Sequence, residues 1–457
     1  MIKTYVLDTN ILLQTEGRVI NGFDDNVVVI PGMVLEELDN QKTAPGERGF
    51  AARECIRRIT EIKDNNHGLA YGVSLDNGGI FEIESNSDMS YLPSGWKADK
   101  PDNIILGTVI YLTKAEREKN NDNKVVLITN DVSMQVKASI IGVEVQSYKN
   151  DQVVSDKSYT GKDVLYLPDS VLQELYARES VPAKSVIIEE NKKYNADFAG
   201  LLENCFYITK NFECSSSALS YFYQGNLHLI KASEFDNIAG ISPKNSDQIF
   251  AMEALMRPVD EIPLVILKGC AGSGKTMLTL AAALYQMEKC MYDKIIITRS
   301  NTLADEELGF LPGTLEEKMG PLLAPFYDNL RFLLRMTGED DEQINLLLDD
   351  MIERGTIEIV SLAYIRGRSI PNTFIIIDEA QNLSINQCRT IATRIGIGSK
   401  LCLMGDTSQI DNPKLDKRNN GLSFISEKFA GNGLCQQVEF TESVRSAISA
   451  EAIRLLG

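Results

Sequence analysis

Histidine is nearly missing from this chain: among 457 residues only His67 and His228 occur. That argues against an imidazole base and against a histidine-built metal centre. The eight cysteines form no CxxC pair and keep no regular spacing, so neither a zinc cluster nor a disulfide frame is expected; they read as reduced, mostly buried thiols of a cytoplasmic protein. No apolar run approaches the roughly 20 residues that a membrane helix needs. The opening Met1-Ile2-Lys3-Thr4-Tyr5-Val6-Leu7-Asp8 is broken by an acid, so a secretory signal is not expected. Positive charge is also short. Lys and Arg number 46 against 64 Asp and Glu, a net charge of −18. Surfaces that bind phosphate are normally basic. Any nucleic acid must therefore be met in a local groove or pore, or through metal ions held between acidic side chains and phosphate.

What is present is an ordinary soluble composition, 44% hydrophobic and 24% charged, on a chain long enough for about three domains. Residues 1–149 alternate strand-like runs (Tyr5-Val6-Leu7, Val27-Val28-Val29-Ile30, Val125-Val126-Leu127-Ile128) with helical patterns over about 49–64 and 102–118, which predicts a parallel, helix-covered sheet. Residues 150–238 read as a small β-rich domain or connector, with strands at Asp163–Leu167, Ser185–Ile188 and Leu227–Ile230. Its aromatics Tyr207, Phe212, Tyr221, Phe222 and Tyr223 either stack on bases or, the more ordinary reading, fill a small core. Residues 239–457 return to α/β. Their strand candidates Leu264–Leu267, Lys294–Ile297, Ile357–Val360, Phe374–Ile377 and Leu401–Met404 are apolar almost throughout, as strands covered on both faces must be.

The most informative stretch is Gly269-Cys270-Ala271-Gly272-Ser273-Gly274-Lys275-Thr276, a GxxxxGK[ST] phosphate loop between a strand-like run and a helix. Glycines let backbone N–H groups curl around an anion, and the helix N-terminus adds partial positive charge. Lys275 is placed to reach the β- and γ-phosphates of ATP, and Thr276 to offer a hydroxyl to Mg2+. The run Phe374-Ile375-Ile376-Ile377-Asp378-Glu379-Ala380-Gln381 puts two carboxylates at a strand end, Asp378 for Mg2+ and Glu379 for the attacking water. A third strand runs into Gly405-Asp406-Thr407-Ser408-Gln409-Ile410-Asp411, where Gln409 is the natural sensor of the γ-phosphate.

Together these motifs resemble the motor elements of superfamily 1 helicases and, more closely, of PhoH-family ATPases. The resemblance extends to Ile296-Ile297-Thr298-Arg299, Gly309-Phe310-Leu311-Pro312-Gly313, Tyr364-Ile365-Arg366-Gly367-Arg368 and Pro243–Gln248, where it implies that Gln248 contacts adenine. The segment Glu442-Ser443-Val444-Arg445 matches the family's Val-Val-Arg only loosely. Superfamily 1 motors hydrolyse ATP between two lobes. Of 457 residues only 46 follow Asp411, too few for a second lobe. The expectation is a homo-oligomeric ring whose neighbouring subunit donates an arginine, with Arg445 the first candidate and Arg366 and Arg368 behind it.

Four acids occupy comparable places in residues 1–149. Asp8 ends the first strand, Glu36 and Glu37 open a helix after the second, Asp102 starts another helix, and Asp131 comes just after the strand ending at Ile128. In a parallel sheet the strand C-termini share one edge, so Asp8 and Asp131 should meet there. Each acid alone reads as a cap or turn residue; convergent acids repel, and a divalent metal relieves that cost. Here the resemblance is to PIN-domain nucleases. It implies Asp8, Glu37 (Glu36 in second place), Asp102 and Asp131 as ligands of Mg2+ or Mn2+. The implied fold class is α/β: an N-terminal PIN-like parallel α/β/α domain, a small β-rich middle domain and a C-terminal RecA-like phosphate-loop α/β domain.

The leading expectation is an ATP-dependent RNA helicase and ribonuclease acting on single-stranded or structured RNA, with no membrane role and room for a small antitoxin-like partner. Local basic residues (Arg53, Arg57, Arg58; Arg366, Arg368; Lys414, Lys417, Arg418) are candidates for RNA contact. A second reading makes the first domain a non-catalytic RNA- or partner-binding module driven by an ATPase switch. A third, a small-molecule kinase, is disfavoured by the sensor-like 405–411 segment and by the absence of an Arg-rich lid.

Overall fold

The computed structural model describes residues 2–442 apart from 45, 66–68, 70–71, 76, 119–122, 149–158, 187, 196–199, 212–215, 301–314, 337, 339, 363–364, 366–369 and 413–414. These residues form two compact units, 1–152 and 153–457.

In the first unit the strands are β1 (Lys3–Leu7), β2 (Val27–Pro31), β3 (Val73–Ser74), β4 (Ile80–Glu84), β5 (Lys124–Ile128) and β6 (Val145–Gln146). They lie in the order β3-β4-β2-β1-β5-β6, with every neighbouring pair parallel except β3 with β4. Helices α1 (Thr9–Thr15), α2 (Gly32–Gln41), α3 (Gly46–Asn65), α4 (Pro101–Glu118) and α5 (Val132–Ile140) cover the sheet. Val6, Leu7, Val28, Val29, Ile30, Val126 and Leu127 are wholly buried, each such side chain contributing about 2 kcal/mol of burial. The register sets Leu7 beside Ile128. The chain therefore leaves β1 at Asp8 and β5 at Thr129 on the same edge, and that places the acids.

The second unit holds two sheets. Strands β7 (Lys162–Leu167), β8 (Ser180–Pro182), β9 (Phe206–Asn211), β10 (Ser217–Tyr223) and β11 (Asn226–Leu229), with helices α6 (Asp169–Arg178) and α7 (Ile188–Tyr194), make a mixed sheet in the order β7-β9-β10-β11-β8. This is the β-rich segment expected over 150–238. It shares a core with the C-terminal α/β segment, where Phe206 stacks on Phe250 with centroids 4.8 Å apart. The described residues of Ser185–Ile188 are not in a strand. The chain makes a short 3-10 turn at Ala183–Ser185 and enters α7 at Ile188. Three apolar residues are too few to hold a strand against the helix-favouring Glu189-Glu190-Asn191-Lys192-Lys193 next to them.

The C-terminal α/β segment contains α8 (Ser246–Met256), β12 (Leu264–Gly269), α9 (Lys275–Glu288), β13 (Lys294–Arg299), β14 (Ile357–Ile359), β15 (Thr373–Asp378), β16 (Lys400–Gly405) and β17 (Cys435–Phe440). The strands form a parallel sheet in the order β14-β13-β15-β16-β12-β17. Helices also run over Leu315–Met336, Asp341–Glu353, Ile385–Ala392 and Gly421–Lys428. The order puts the strands bearing the phosphate loop (β12), the sensor (β16) and the paired acids (β15) side by side, with their C-terminal ends on one edge.

Candidate active sites

The phosphate loop departs from β12 through three glycines at positive φ, Gly269 (143°), Gly272 (81°) and Gly274 (95°). A side chain at Gly269 would meet the Phe440 carbonyl oxygen at 2.7 Å, so glycine there is also a packing requirement. Gly274 caps α9, whose N-terminus points its free N–H groups into the loop. Lys275 Nζ is folded back, donating to the carbonyl oxygens of Gly269 (2.6 Å) and Cys270 (2.9 Å) and to Ser273 Oγ (3.4 Å). Burial lowers its pKa, against the opposing pull of Asp406 and Asp378. An incoming phosphate offers this ammonium a better partner than two carbonyls. Cys270, Ala271 and Thr276 are part-exposed along the same loop.

Asp378 ends β15. Burial raises its pKa to about 6, and the Glu379 carboxylate adds to that; Arg299 and Lys275 oppose it. This is the setting in which a divalent cation is welcome. Glu379 accepts from Arg299 Nη2 (2.8 Å) and from Gln381 Nε2 (2.6 Å). Gln409 is exposed on the turn after β16. Its carbonyl, not its side chain, is the group tied in, accepting from Gln381 Nε2 at 2.8 Å. Gln248 is buried; its Nε2 donates to the Ser273 carbonyl (3.0 Å) and its Oε1 accepts from Lys244 N (2.8 Å), so its amide braces the loop. Arg445, Arg366, Arg368, Lys414, Tyr364, Phe212 and the run Gly309–Gly313 lie outside the described residues. The roles of Arg299 and Gln381 were not read from the sequence. Their signal was position alone: Arg299 ends the strand beside Asp378, and Gln381 lies two residues past Glu379.

In the first unit Asp8 is buried and accepts from Thr129 Oγ1 (2.8 Å), which in turn accepts from Asp131 N (3.0 Å). Burial pushes the Asp8 pKa up to about 6, and repulsion from Glu37 and Asp131 adds to it. Thr9 Oγ1 donates to Glu37 Oε2 at 2.5 Å, fixing Glu37 rather than Glu36 toward the edge. Asp131 caps α5, taking Ser133 N (2.7 Å) and Met134 N (3.1 Å) on Oδ1. Asp102 behaves differently. Lys137 Nζ (2.9 Å) and Lys100 Nζ (3.2 Å) hold its carboxylate below the ordinary range, outweighing the effect of burial. Among the described residues no three acidic, histidine or cysteine side chains form a ready-made metal-holding group. The chemistry of Asp8, Glu37 and Asp131 is that of hard oxygen donors, and the cost that burial and the two neighbouring carboxylates impose on a charged Asp8 is one that a divalent cation would relieve. Asp102 joins them only if its lysines yield.

Tyr207 is fully buried, in keeping with the more ordinary core reading, and Tyr221 and Tyr223 lie 4.4 and 4.5 Å from the Arg257 guanidinium. Arg57 is occupied by Glu54 (2.5 Å) and Glu61 (3.9 Å), and Arg53 by the Lys42 carbonyl (2.6 Å).

A phosphate-loop ATPase following an acid-edged parallel α/β domain is the class of protein these sites define. Residues 5–149 match the family model for the PIN domain and residues 240–456 that for PhoH-like protein. Protein PhoH2 of Bacillus subtilis is 38% identical over 461 residues, covering 100% of both chains. Protein PhoH2 of Thermobispora bispora is 30% identical over 457 residues, 99% of this chain and 96% of that one. The PhoH-like protein of Bacillus subtilis is 41% identical over 187 residues, 40% of this chain and 55% of that one. The chain belongs to the PhoH2 family of PIN–PhoH fusions. Phosphate-loop ATPases and PIN domains generally use ATP and divalent metals. Among the described residues no helix is long and apolar enough to cross a membrane.

Proposed function

We propose that the chain couples ATP hydrolysis on RNA to metal-dependent cleavage of that RNA. ATP occupies the loop 269–276, with Lys275 transferred from its carbonyl partners to the phosphates and Glu379 polarising the attacking water. A divalent ion between Thr276 and Asp378 would neutralise the developing phosphate charge. At the other site the observation that carries the reading is Asp8, buried beside Thr129 and raised in pKa with Glu37 and Asp131 for neighbours. Mg2+ or Mn2+ bound there would supply an activated water and offset the charge on the scissile phosphate. Thr129 and Thr9 orient the two principal carboxylates by hydrogen bonds. A neighbouring copy contributes the arginine of the ATPase in an oligomeric ring.

One preparation tests this: ATPase rate with and without single-stranded RNA, beside cleavage with and without Mn2+. RNA-stimulated hydrolysis and Mn2+-dependent cleavage are expected; absence of both overturns the proposal. One observation favours a second reading. The Lys137 and Lys100 pairs on Asp102 suit a binding module that needs no metal; hydrolysis stimulated by RNA without any cleavage is its expected outcome.

A further inference from the structure

Arg299 is the last residue of β13, in register with Asp378 of β15. Its Nη2 donates to Glu379 Oε1 at 2.8 Å while Gln381 Nε2 donates to Oε2 at 2.6 Å, so each oxygen of the expected water-polarising carboxylate already holds a protein donor. Glu379 sits at φ 54°, ψ 36°, a left-handed backbone setting that non-glycine residues seldom adopt and that its surroundings must enforce. A carboxylate neutralised by a guanidinium is a weak acceptor for the proton of an attacking water. Both the phosphate-loop lysine and Glu379 are thus engaged with protein partners.

The two engagements differ in direction. With strands about 4.8 Å apart, β13 lies roughly 14 Å from the phosphate-loop strand β12 and β15 roughly 10 Å, so Arg299 starts from a strand farther from the phosphate loop than the one that leads to Glu379. Both side chains are about a quarter exposed, 27% and 26%. Arg299 Nε is moreover buried without a hydrogen-bond partner among the described residues. A phosphodiester is the ligand class that suits it, because a guanidinium fork binds phosphate oxygens in pairs.

We propose that Arg299 is a positioning residue that parks Glu379, and that a backbone phosphate of single-stranded RNA takes the guanidinium and frees Glu379 for hydrolysis. The inference rests on the reading of this chain as an RNA-dependent ATPase. Steady-state ATP hydrolysis by the full chain, with and without a poly(U) oligonucleotide, tests it on the wild type, Arg299→Ala and Arg299→Lys. Arg299→Ala should raise the RNA-free kcat several-fold, bring the ratio of stimulated to basal rate close to one, and leave KM for ATP within about twofold. Arg299→Lys keeps a positive charge beside Glu379 and should retain part of the stimulation, which a merely structural role would not grade. A fall in basal kcat in Arg299→Ala, with nucleotide still bound, or an unchanged stimulation ratio overturns the proposal. If RNA fails to stimulate the wild type while Arg299→Ala still hydrolyses faster, the RNA reading fails and the parking of Glu379 stands.

Discussion

Gln381 connects Glu379 to the sensor turn: its Nε2 donates to Glu379 Oε2 at 2.6 Å and to the Gln409 carbonyl at 2.8 Å, and its Oε1 accepts from Asp406 N at 3.0 Å. The Gln381 side chain is fully buried, so its own end of these bonds is shielded from water. The proposed water-polarising carboxylate and the turn after β16 are thereby tied to one side chain. Gln381→Ala should lower kcat for ATP roughly ten- to hundredfold, with little change in ATP affinity. Gly405→Ala should act in the same direction, because its methyl would collide with Gln381 Oε1. Rapid-quench hydrolysis and fluorescent-nucleotide binding check both.

The acids of the first unit make a prediction about metal. Asp8, Glu37 and Asp131 repel, and removing one of them relieves the strain as a cation would. Mn2+ should raise the unfolding temperature of the wild type, and chelation should reverse it. Asp8→Asn should be more stable than wild type without metal and should gain little from Mn2+. Calorimetry with and without Mn2+ reads both effects.

Lys400 gives a pH dependence at the opposite end of β16 from the turn that carries Gln409. It is wholly buried at the start of β16, and its Nζ donates to the carbonyls of Leu255 in the last turn of α8 (2.8 Å) and of Arg257 just after it. Burial lowers its pKa to about 7 from 10.5. Below pH 7 both folded and unfolded states hold the proton. Between pH 7 and 10.5 the unfolded state binds more, so stability rises with pH by about 1.4 kcal/mol per unit at most. Denaturant melts should show a gain on the order of 2 kcal/mol from pH 7.5 to 9, and Lys400→Met should remove it. Glu253, raised to about 7 by burial, works oppositely: stability falls as pH climbs from 4.5 to 7. Equal slopes in wild type and Lys400→Met would contradict the assignment.

Much of the fold was legible because buried parallel strands write themselves as apolar runs. Leu264–Leu267, Phe374–Ile377 and Leu401–Met404 each lead into the residues that carry chemistry, and the meeting of Asp8 with Asp131 follows from β1 and β5 being parallel neighbours. Strand β17 was hidden because Gln436, Gln437 and Glu439 interrupt its pattern; Gln437 is buried all the same, with its amide paired to Ser426. The Lys137–Asp102 pair joins helices 35 positions apart, and Arg299 meets Glu379 across 80. Neither spacing has a local signature, so those charges read as free until the fold brings them together.

The account depends most on ATP hydrolysis and RNA cleavage being carried by separate sets of residues. The direct test is to follow both activities on one preparation each of wild type, Lys275→Ala and Asp8→Asn, with single-stranded RNA, ATP and Mn2+ present. Lys275→Ala should lose hydrolysis. Asp8→Asn should lose cleavage while hydrolysing ATP at the wild-type rate. Cleavage that persists in Asp8→Asn, or hydrolysis that disappears with it, would contradict the account.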